Sequence, residues 1–207
     1  LQKKDFTGAG IGCIHYGQIY TYYGPFAYET KSFVSPEFAD RLKKVDKTDL
    51  IITLTSENVE DVCKCVAWLG DSQIVTGGHA AILKHKQNPK YLSYYFQSES
   101  FFLQKAKIAN GTKVIEVSIE KLAHIRIALP PLPVQREIVR ILDTFSELTT
   151  ELTARKKQYE YYRDTLLKFD ESVPQKELGE IGILMRGNGL QKKDFTGAGI
   201  GCIHYGQ

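Results

Sequence analysis

PPLPVQREIVRILDTFSELTTELTARKKQYEYYRDTLLKF, residues 130–169, decides the architecture. Pro133 suits a first helical position, where its missing N–H costs nothing, and no glycine or proline follows before Phe169. Apolar residues recur at Ile138, Ile141, Phe145, Leu148, Leu152, Tyr159, Tyr162, Leu166 and Phe169. The steps are three and four throughout when Arg155 fills the one missing position, which is the heptad pattern of a coiled-coil seam. A helix over 133–169 would extend about 55 Å at ~1.5 Å per residue. That is longer than one small domain needs for its own core, so the seam predicts a partner helix. With no second seam in the chain, the partner is a second copy, and two-fold symmetry pairs identical seams antiparallel.

Upstream, residues 1–132 alternate short β-rich runs with turn signals: GCIHYGQIYTYYG (12–24), LIITLTS (50–56), QIVTGG (73–78), AAILKH (80–85), KVIEVSI (113–119) and HIRIALP (124–130). β-Branched and aromatic residues bounded by Gly, Asn, Asp and Pro predict strands, and VCKCVAWL (62–69) reads the same way. One helix interrupts them. Asn88 caps it, Pro89 opens it, and Tyr91, Leu92, Tyr95, Phe96, Phe102 and Leu103 follow near helical spacing. The fold class is therefore α+β, with a mixed β-rich domain over 1–132 and a long coiled-coil helix over 133–169.

Downstream, Asp170 to Pro174 stop the helix, and residues 190–207 repeat LQKKDFTGAGIGCIHYGQ, residues 1–18, letter for letter. Residues 170–207 thus form a linker and the start of a further unit, about 189 residues after the first. The chain opens without methionine and stops where the first copy continues as IYTYYG, so it reads as a fragment, a permuted form or a processed product. Because the helix carries 190–207 away from residues 1–132, the second copy is expected either to replace the partner's residues 1–18 in a dimer or to be poorly ordered.

FTGAGIG within the repeat raises the possibility of a cofactor loop, since FxGxG followed by an NPPY-like tetrapeptide marks amino-methyltransferases, and Asn88, Pro89, Lys90 and Tyr91 stand here. Such a loop needs a buried strand before it and a helix after it. LQKKD precedes it, Lys90 replaces the second proline, and the glycines read better as a turn before a strand. No HExxH, paired CxxC, GxxxxGK[ST] or GxSxG appears, and His15, His79, His85 and His124 are scattered. The sequence offers no catalytic constellation and no metal site.

The net charge of +3 is too small to demand a polyanionic partner, so any nucleic-acid face must be local, built from lysines gathered on one side of the first region. The cysteines Cys13, Cys63, Cys65 and Cys202 lack zinc spacing and read as reduced thiols. No apolar run is long enough to span a membrane, and the chain reads as cytoplasmic.

Residues 111–169, GTKVIEVSIEKLAHIRIALPPLPVQREIVRILDTFSELTTELTARKKQYEYYRDTLLKF, resemble the end of a target recognition domain and the conserved helix of the specificity subunit of type I restriction-modification enzymes. The shared features are a GT turn, a strand, a KL-containing turn, a second strand ending in PPLP, then Gln135 and the long helix. LGEIGILMRGNGLQKKDF (178–195) resembles the start of such a domain. The resemblance implies a non-catalytic subunit with two recognition domains, each reading half of a bipartite, interrupted site in double-stranded DNA. It also implies that the subunit docks DNA methyltransferase subunits and that the complex recruits motor-nuclease subunits, with S-adenosylmethionine, ATP and magnesium in those partners and no cofactor in this chain. Only one recognition domain and one helix are present here, so a homodimer would complete the reader.

Amides, hydroxyls and long cations read bases, and lysines and backbone amides hold phosphates. Candidate DNA contacts are therefore Gln18, Tyr20, Tyr22 and Tyr23 near the repeated segment; Ser56 and Asn58 after LIITLTS; Thr76, Gly78 and His79 in TGGHA; and Lys84, Thr112 and Lys113. The competing readings are a coiled-coil interaction module for a protein partner and a stand-alone DNA amino-methyltransferase.

Overall fold

The structure is a computed structural model that describes residues 1–187 and 189–204. Two compact units divide the chain, Leu1–Glu151 and Leu152–Gln207. The first contains two four-stranded sheets and the helices that cover them. In chain order its elements are β1 (Ile11–Ile14), α1 (Tyr16–Thr21), β2 (Phe26–Ala27), β3 (Ser32–Val34), α2 (Pro36–Ala39), β4 (Lys43–Val45), β5 (Leu50–Thr53), β6 (Thr55–Ser56), β7 (Cys65–Trp68), β8 (Ile74–Thr76), β9 (Ala80–Leu83), α3 (Pro89–Tyr95), α4 (Glu99–Ile108), β10 (Ile115–Glu116) and α5 (Ile119–Leu122). The long helix α6 (Leu132–Leu166) follows, then α7 (Leu178–Ile181) in the second unit.

One sheet has the order β3-β1-β8-β4, with β1 parallel to β8 and antiparallel to β3; the other has the order β2-β7-β5-β9. The second sheet is covered on both faces, which is why β5 and β7 read as unbroken apolar runs. Ile51, Val66 and Trp68 meet Ile14, Val45 and Ile74 of the first sheet in one core. Their neighbours Leu50, Ile52, Cys65 and Ala67 pack with Tyr91, Leu92, Phe96 and Phe101 of α3, its C-cap and α4, and with Val139 of α6, in another. Alternate residues of one strand therefore serve opposite cores, as period-two geometry requires. Cys13, Val34, Ala39 and Val75 form a third cluster on the outer face of the first sheet.

Three expectations from the sequence are corrected. Residues 16–21 are a helix, because the His15 ring accepts from Gly17 N at 3.1 Å while Gln18 Oε1 accepts from His15 N at 3.1 Å, a reciprocal cap that outweighs the aromatic β-formers. The single helix expected from Asn88 to Leu103 is two: Ser98 donates to Tyr95 O at 2.7 Å and accepts from Phe101 N at 3.3 Å, closing α3 and opening α4. HIRIALP forms no strand, and KVIEVSI contributes only the two residues of β10. Gln104 takes over part of the backbone pairing there, donating to Arg126 O and accepting from Arg126 N, both at 2.9 Å.

The two copies of the repeated segment share their local form but not their burial. In each, a 3-10 turn (Lys3–Asp5, Lys192–Asp194) is boxed by Gln and Asp, and Asp5 and Asp194 accept from Gln2 N and Gln191 N at 2.6 and 2.9 Å. Thr7 and Thr196 donate to Ala9 O and Ala198 O at 2.8 and 2.7 Å, and Gly10 and Gly199 hold φ of 138° and 136°. A Cβ on Gly10 would lie 2.3 Å from Val34 O, so this position also needs glycine for packing. The first copy then enters the sheet as β1 with Cys13 and Ile14 fully buried, whereas Ile200, Cys202 and Ile203 of the second are exposed and form no strand. The turn is thus encoded locally and the strand is not. Burial pushes the Cys13 thiol up to about 11, and Cys63 and Cys65 are likewise buried and raised. Iodoacetamide at pH 8 is expected to label Cys202 rapidly and the other three only after unfolding; equal rates at Cys13 and Cys202 would contradict the distinction between the copies.

Candidate functional site

A cleft of about 470 Å³ opens where α1 meets the loop after β6. Tyr16, Gly17, Tyr20 and Thr21 form one wall, Thr55, Ser56, Glu57, Asn58 and Asp61 the other, and Val114 closes one side. The helical turn created by the His15 cap places Tyr16 and Tyr20 on the same face, one turn apart, with rings 6.4 Å between centroids at 83°. Tyr20 is held in place: its hydroxyl donates to Thr55 O at 2.7 Å, and burial raises its pKa, so it stays protonated as a donor. In the opposite wall, Asn58 folds the loop. It accepts from Asp61 N at 2.7 Å and donates to Asp61 Oδ2 at 2.9 Å, a side-chain cap on the turn that leaves Ser56 and Glu57 at the rim. His79 joins from the loop between β8 and β9, 3.3 Å from Thr55 Oγ1 through Nδ1 and 4.9 Å from the Tyr16 ring centroid.

Of the residues singled out in the sequence, Tyr20, Ser56 and Asn58 line this cleft, and His79 lies beside it against Thr55 and Tyr16. Lys113 and Thr112 are exposed in the turn before Val114. The others lie elsewhere or are engaged in the fold. Gln18 caps α1 and donates to Ser32 Oγ at 2.7 Å; Thr76 is buried and donates to Ile14 O at 2.8 Å. Tyr23 accepts from Lys31 N at 2.7 Å, and the exposed Tyr22 ring lies 4.3 Å beneath Lys31 Nζ. Lys84 reaches both Asp46 and Asp49, at 2.5 and 2.8 Å, so its charge is already matched by carboxylates. Gly78 is exposed, with open space where a side chain would be.

Sequence reading missed Tyr16, Thr55, Glu57 and Asp61. The signal for Tyr16 was the H-x-x-Q box at 15–18, which turns the segment helical and brings Tyr16 beside Tyr20. Glu57 and Asp61 carry a chemical consequence: two carboxylates at the rim repel phosphate and offer acceptors, so the cleft suits the exocyclic amine of a base edge better than the backbone of a nucleic acid. Among the described residues no group of His, Cys, Asp and Glu could hold a metal ion, and no helix is long and apolar enough to cross a membrane. Gly8 and Gly10 of FTGAGIG precede β1 and Gly12 lies within it, so the glycines lead into a strand and do not form the strand-to-helix loop of a cofactor site.

Along α6 the apolar residues separate into two groups. Val139 is buried and Ile138 packs against the domain core. Ile141, Phe145, Leu148, Leu152, Tyr159, Tyr162, Leu166 and, beyond the helix end, Phe169 are all exposed. A run of large apolar side chains this long on one helix is a surface that excludes water only when something covers it.

Comparisons with known proteins bear on the family and the fold. A family model described as the type I restriction modification DNA specificity domain matches residues 19–159. The specificity subunit of the type I restriction enzyme EcoR124I/EcoR124II of Escherichia coli is 64% identical over 56 residues, which are 25% of this chain and 14% of that protein. The EcoprrI specificity subunit, also from E. coli, is 41% identical over 108 residues, 44% of this chain and 27% of that protein. The matches thus span less than a third of either relative. A chain in a structure described as the basis of complex assembly and conformational transition of the type I R-M system superposes with a TM-score of 0.56 at 18% identity, over 80% of this chain and 39% of that one, and shares the fold.

Proposed function

The chain belongs to the type I restriction modification DNA specificity family, and from that premise we propose that its recognition domain, residues 1–132, reads one half of a bipartite, interrupted site in double-stranded DNA. The observation that carries this reading is the cleft between α1 and the loop after β6. Its free hydroxyl donor, Ser56, and its acceptors, Glu57, Asp61 and the Tyr20 hydroxyl oxygen, line one space, and its carboxylates disfavour phosphate. Phosphates are held outside it, by exposed lysines such as Lys113 and by backbone amides of the neighbouring turns.

The exposed seam supports the second part of the proposal. Residues 133–169 pair antiparallel with the same helix of a second copy, so that two recognition domains lie a fixed distance apart on the DNA, and residues 170–207 form the linker and the start of the next recognition unit. The subunit performs no chemistry. It docks methyltransferase subunits, and with them the motor-nuclease subunits, and S-adenosylmethionine, ATP and magnesium act in those partners, in the cytoplasm.

Two measurements test the reading. Affinity of the chain for duplex DNA is expected to fall steeply with salt, because each phosphate contact releases counterions; salt-independent or absent binding, with or without the methyltransferase subunits, would sink the proposal. Replacing Ser56 with Ala, at the cleft rim, is expected to cost on the order of 1 kcal/mol, up to about 3, on the cognate duplex alone. Equal loss on a scrambled duplex would move Ser56 out of base reading.

A further inference from the structure

The start of α6 is fastened to the recognition domain at two points. Gln135 is fully buried, and its amide is spent on three bonds: Oε1 accepts from Asn88 N at 3.0 Å, and Nε2 donates to Gln87 Oε1 and Pro130 O, both at 2.8 Å. Just over two turns further on, about 12 Å along the axis, Asp143 takes both polar groups of one α3 face. Its Oδ2 meets Lys90 Nζ at 2.7 Å and its Oδ1 accepts from Tyr94 OH at 2.7 Å, with Ser146 Oγ 3.3 Å from the same hydroxyl. Lys90 and Tyr94 are set in turn by the Phe26 ring, which Lys90 Nζ overlies at 4.8 Å and which Tyr94 meets edge-on at 5.2 Å. Between the two fastenings the contact is apolar, through Val139 and Ile138.

This arrangement is not what stability alone would select. Apolar contact would hold the helix as well, and buried polar groups repay their desolvation only when their geometry is met. Directional bonds at both ends of an apolar contact do what apolar packing does not: they forbid sliding along and rotation about the contact. Two fixed points define the helix axis.

We propose that Gln135 and Asp143 are specificity-determining positioning residues, which set the spacing and helical phase of the two half-sites by fixing the angle between α6 and the recognition domain. The inference rests on the paired, bipartite reading given above. In such a pair the half-site separation depends on helix length and on the angle at which each domain is attached. Within the first unit α6 runs from Leu132 to Glu151, about 30 Å, and a tilt of about 10° at its fastened end displaces that far point by about 5 Å, more than one base-pair step. A loosened fastening therefore blurs the spacer while the cleft that reads bases stays as it was.

The test uses the full chain with its methyltransferase subunits and a panel of duplexes carrying the modified motif with spacers shortened or lengthened by one and two base pairs. The wild type is expected to prefer one spacer by at least about tenfold. Asp143→Ala should reduce that preference to under about threefold, with unchanged discrimination among single-base variants of each half-site, and the exchanged pair Lys90→Asp with Asp143→Lys should recover part of it. Gln135→Leu is expected to act in the same direction; since it strips partners from a buried site and could unfold the chain, Asp143 carries the test. Activity that falls equally at every spacer, or a preference that Asp143→Ala leaves intact, overturns the proposal while the bipartite reading stands. A wild type indifferent to spacer overturns both.

Discussion

A chain carrying Leu148→Glu and Leu152→Glu is expected to sediment as a monomer at micromolar concentration, where the wild type sediments as a dimer, with no change in the thermal unfolding of the recognition domain. Both leucines are exposed in the single chain, so neither contributes to its own core. In the antiparallel pair each would be covered. Burying a leucine is worth about 1.5–3 kcal/mol, and two-fold symmetry counts every substitution twice, so two changes remove a large part of any dimerisation energy before the cost of burying a carboxylate is added. The loss extends to DNA. Two domains joined rigidly bind a two-part site with an avidity some 10² to 10⁴ above either alone, and that advantage disappears with the pairing. A monomeric wild type, or a double variant that remains dimeric, would remove the seam from the account.

Trp68→Ala is expected to lower the stability of the first unit by about 3–5 kcal/mol in urea unfolding, a large share of the total for a domain of this size. Trp68 is fully enclosed between the two sheets with Ile14, Ile51, Val66 and Ile74, and its indole N–H donates to Ser72 O at 2.8 Å. The neighbouring backbone is fitted to the ring: a Cβ on Gly70 would lie 2.3 Å from Trp68 Cζ2. Few side chains remain to collapse into the vacated space, because β5 and β7 are held on their other face by α3 and α4. A cost below about 1 kcal/mol would mean that the two sheets do not share this core.

What could be read in the sequence and what could not follows from the range of the interactions involved. The long helix was legible because its periodicity extends over more than four heptads with no breaker, and no local competitor opposes it. Residues 50–52 in LIITLTS and Cys65–Trp68 in VCKCVAWL were legible as strands because both faces of the second sheet are covered, so these runs are apolar throughout. Residues 16–21 were misread because Tyr and Ile raise β-propensity, whereas the deciding interaction is a side-chain cap supplied by His15, a residue seldom credited with that role. The Asn88–Leu103 helix was misread as continuous because Ser98 is unremarkable inside an apolar pattern until its hydroxyl is seen bonding in both directions.

The site was less legible than the fold. Gln18, Thr76 and Lys84 belong to the residue types that contact DNA, yet the fold uses them as a cap, a strand tie and an ion pair; residue type does not reveal prior engagement. Glu57 and Asp61 went unselected because carboxylates are poor partners for phosphate. In the proposed reading, where the cleft meets base edges, the same charge becomes an asset. The repeated segment shows the same division. Its turn is written in LQKKDFTGAG and forms twice, while its strand exists only where Val34 and Val75 offer edges to pair with.

The central claim is that this chain supplies DNA sequence specificity to a methyltransferase. The most direct measurement is the methylome of cells expressing the chain together with its methyltransferase subunits, compared with cells expressing the methyltransferase subunits alone. The account predicts a new modified motif, present only with the chain, made of two related half-sites in inverted orientation separated by a fixed unspecified spacer. Identical methylomes with and without the chain, or a new motif that is short and uninterrupted, would contradict it.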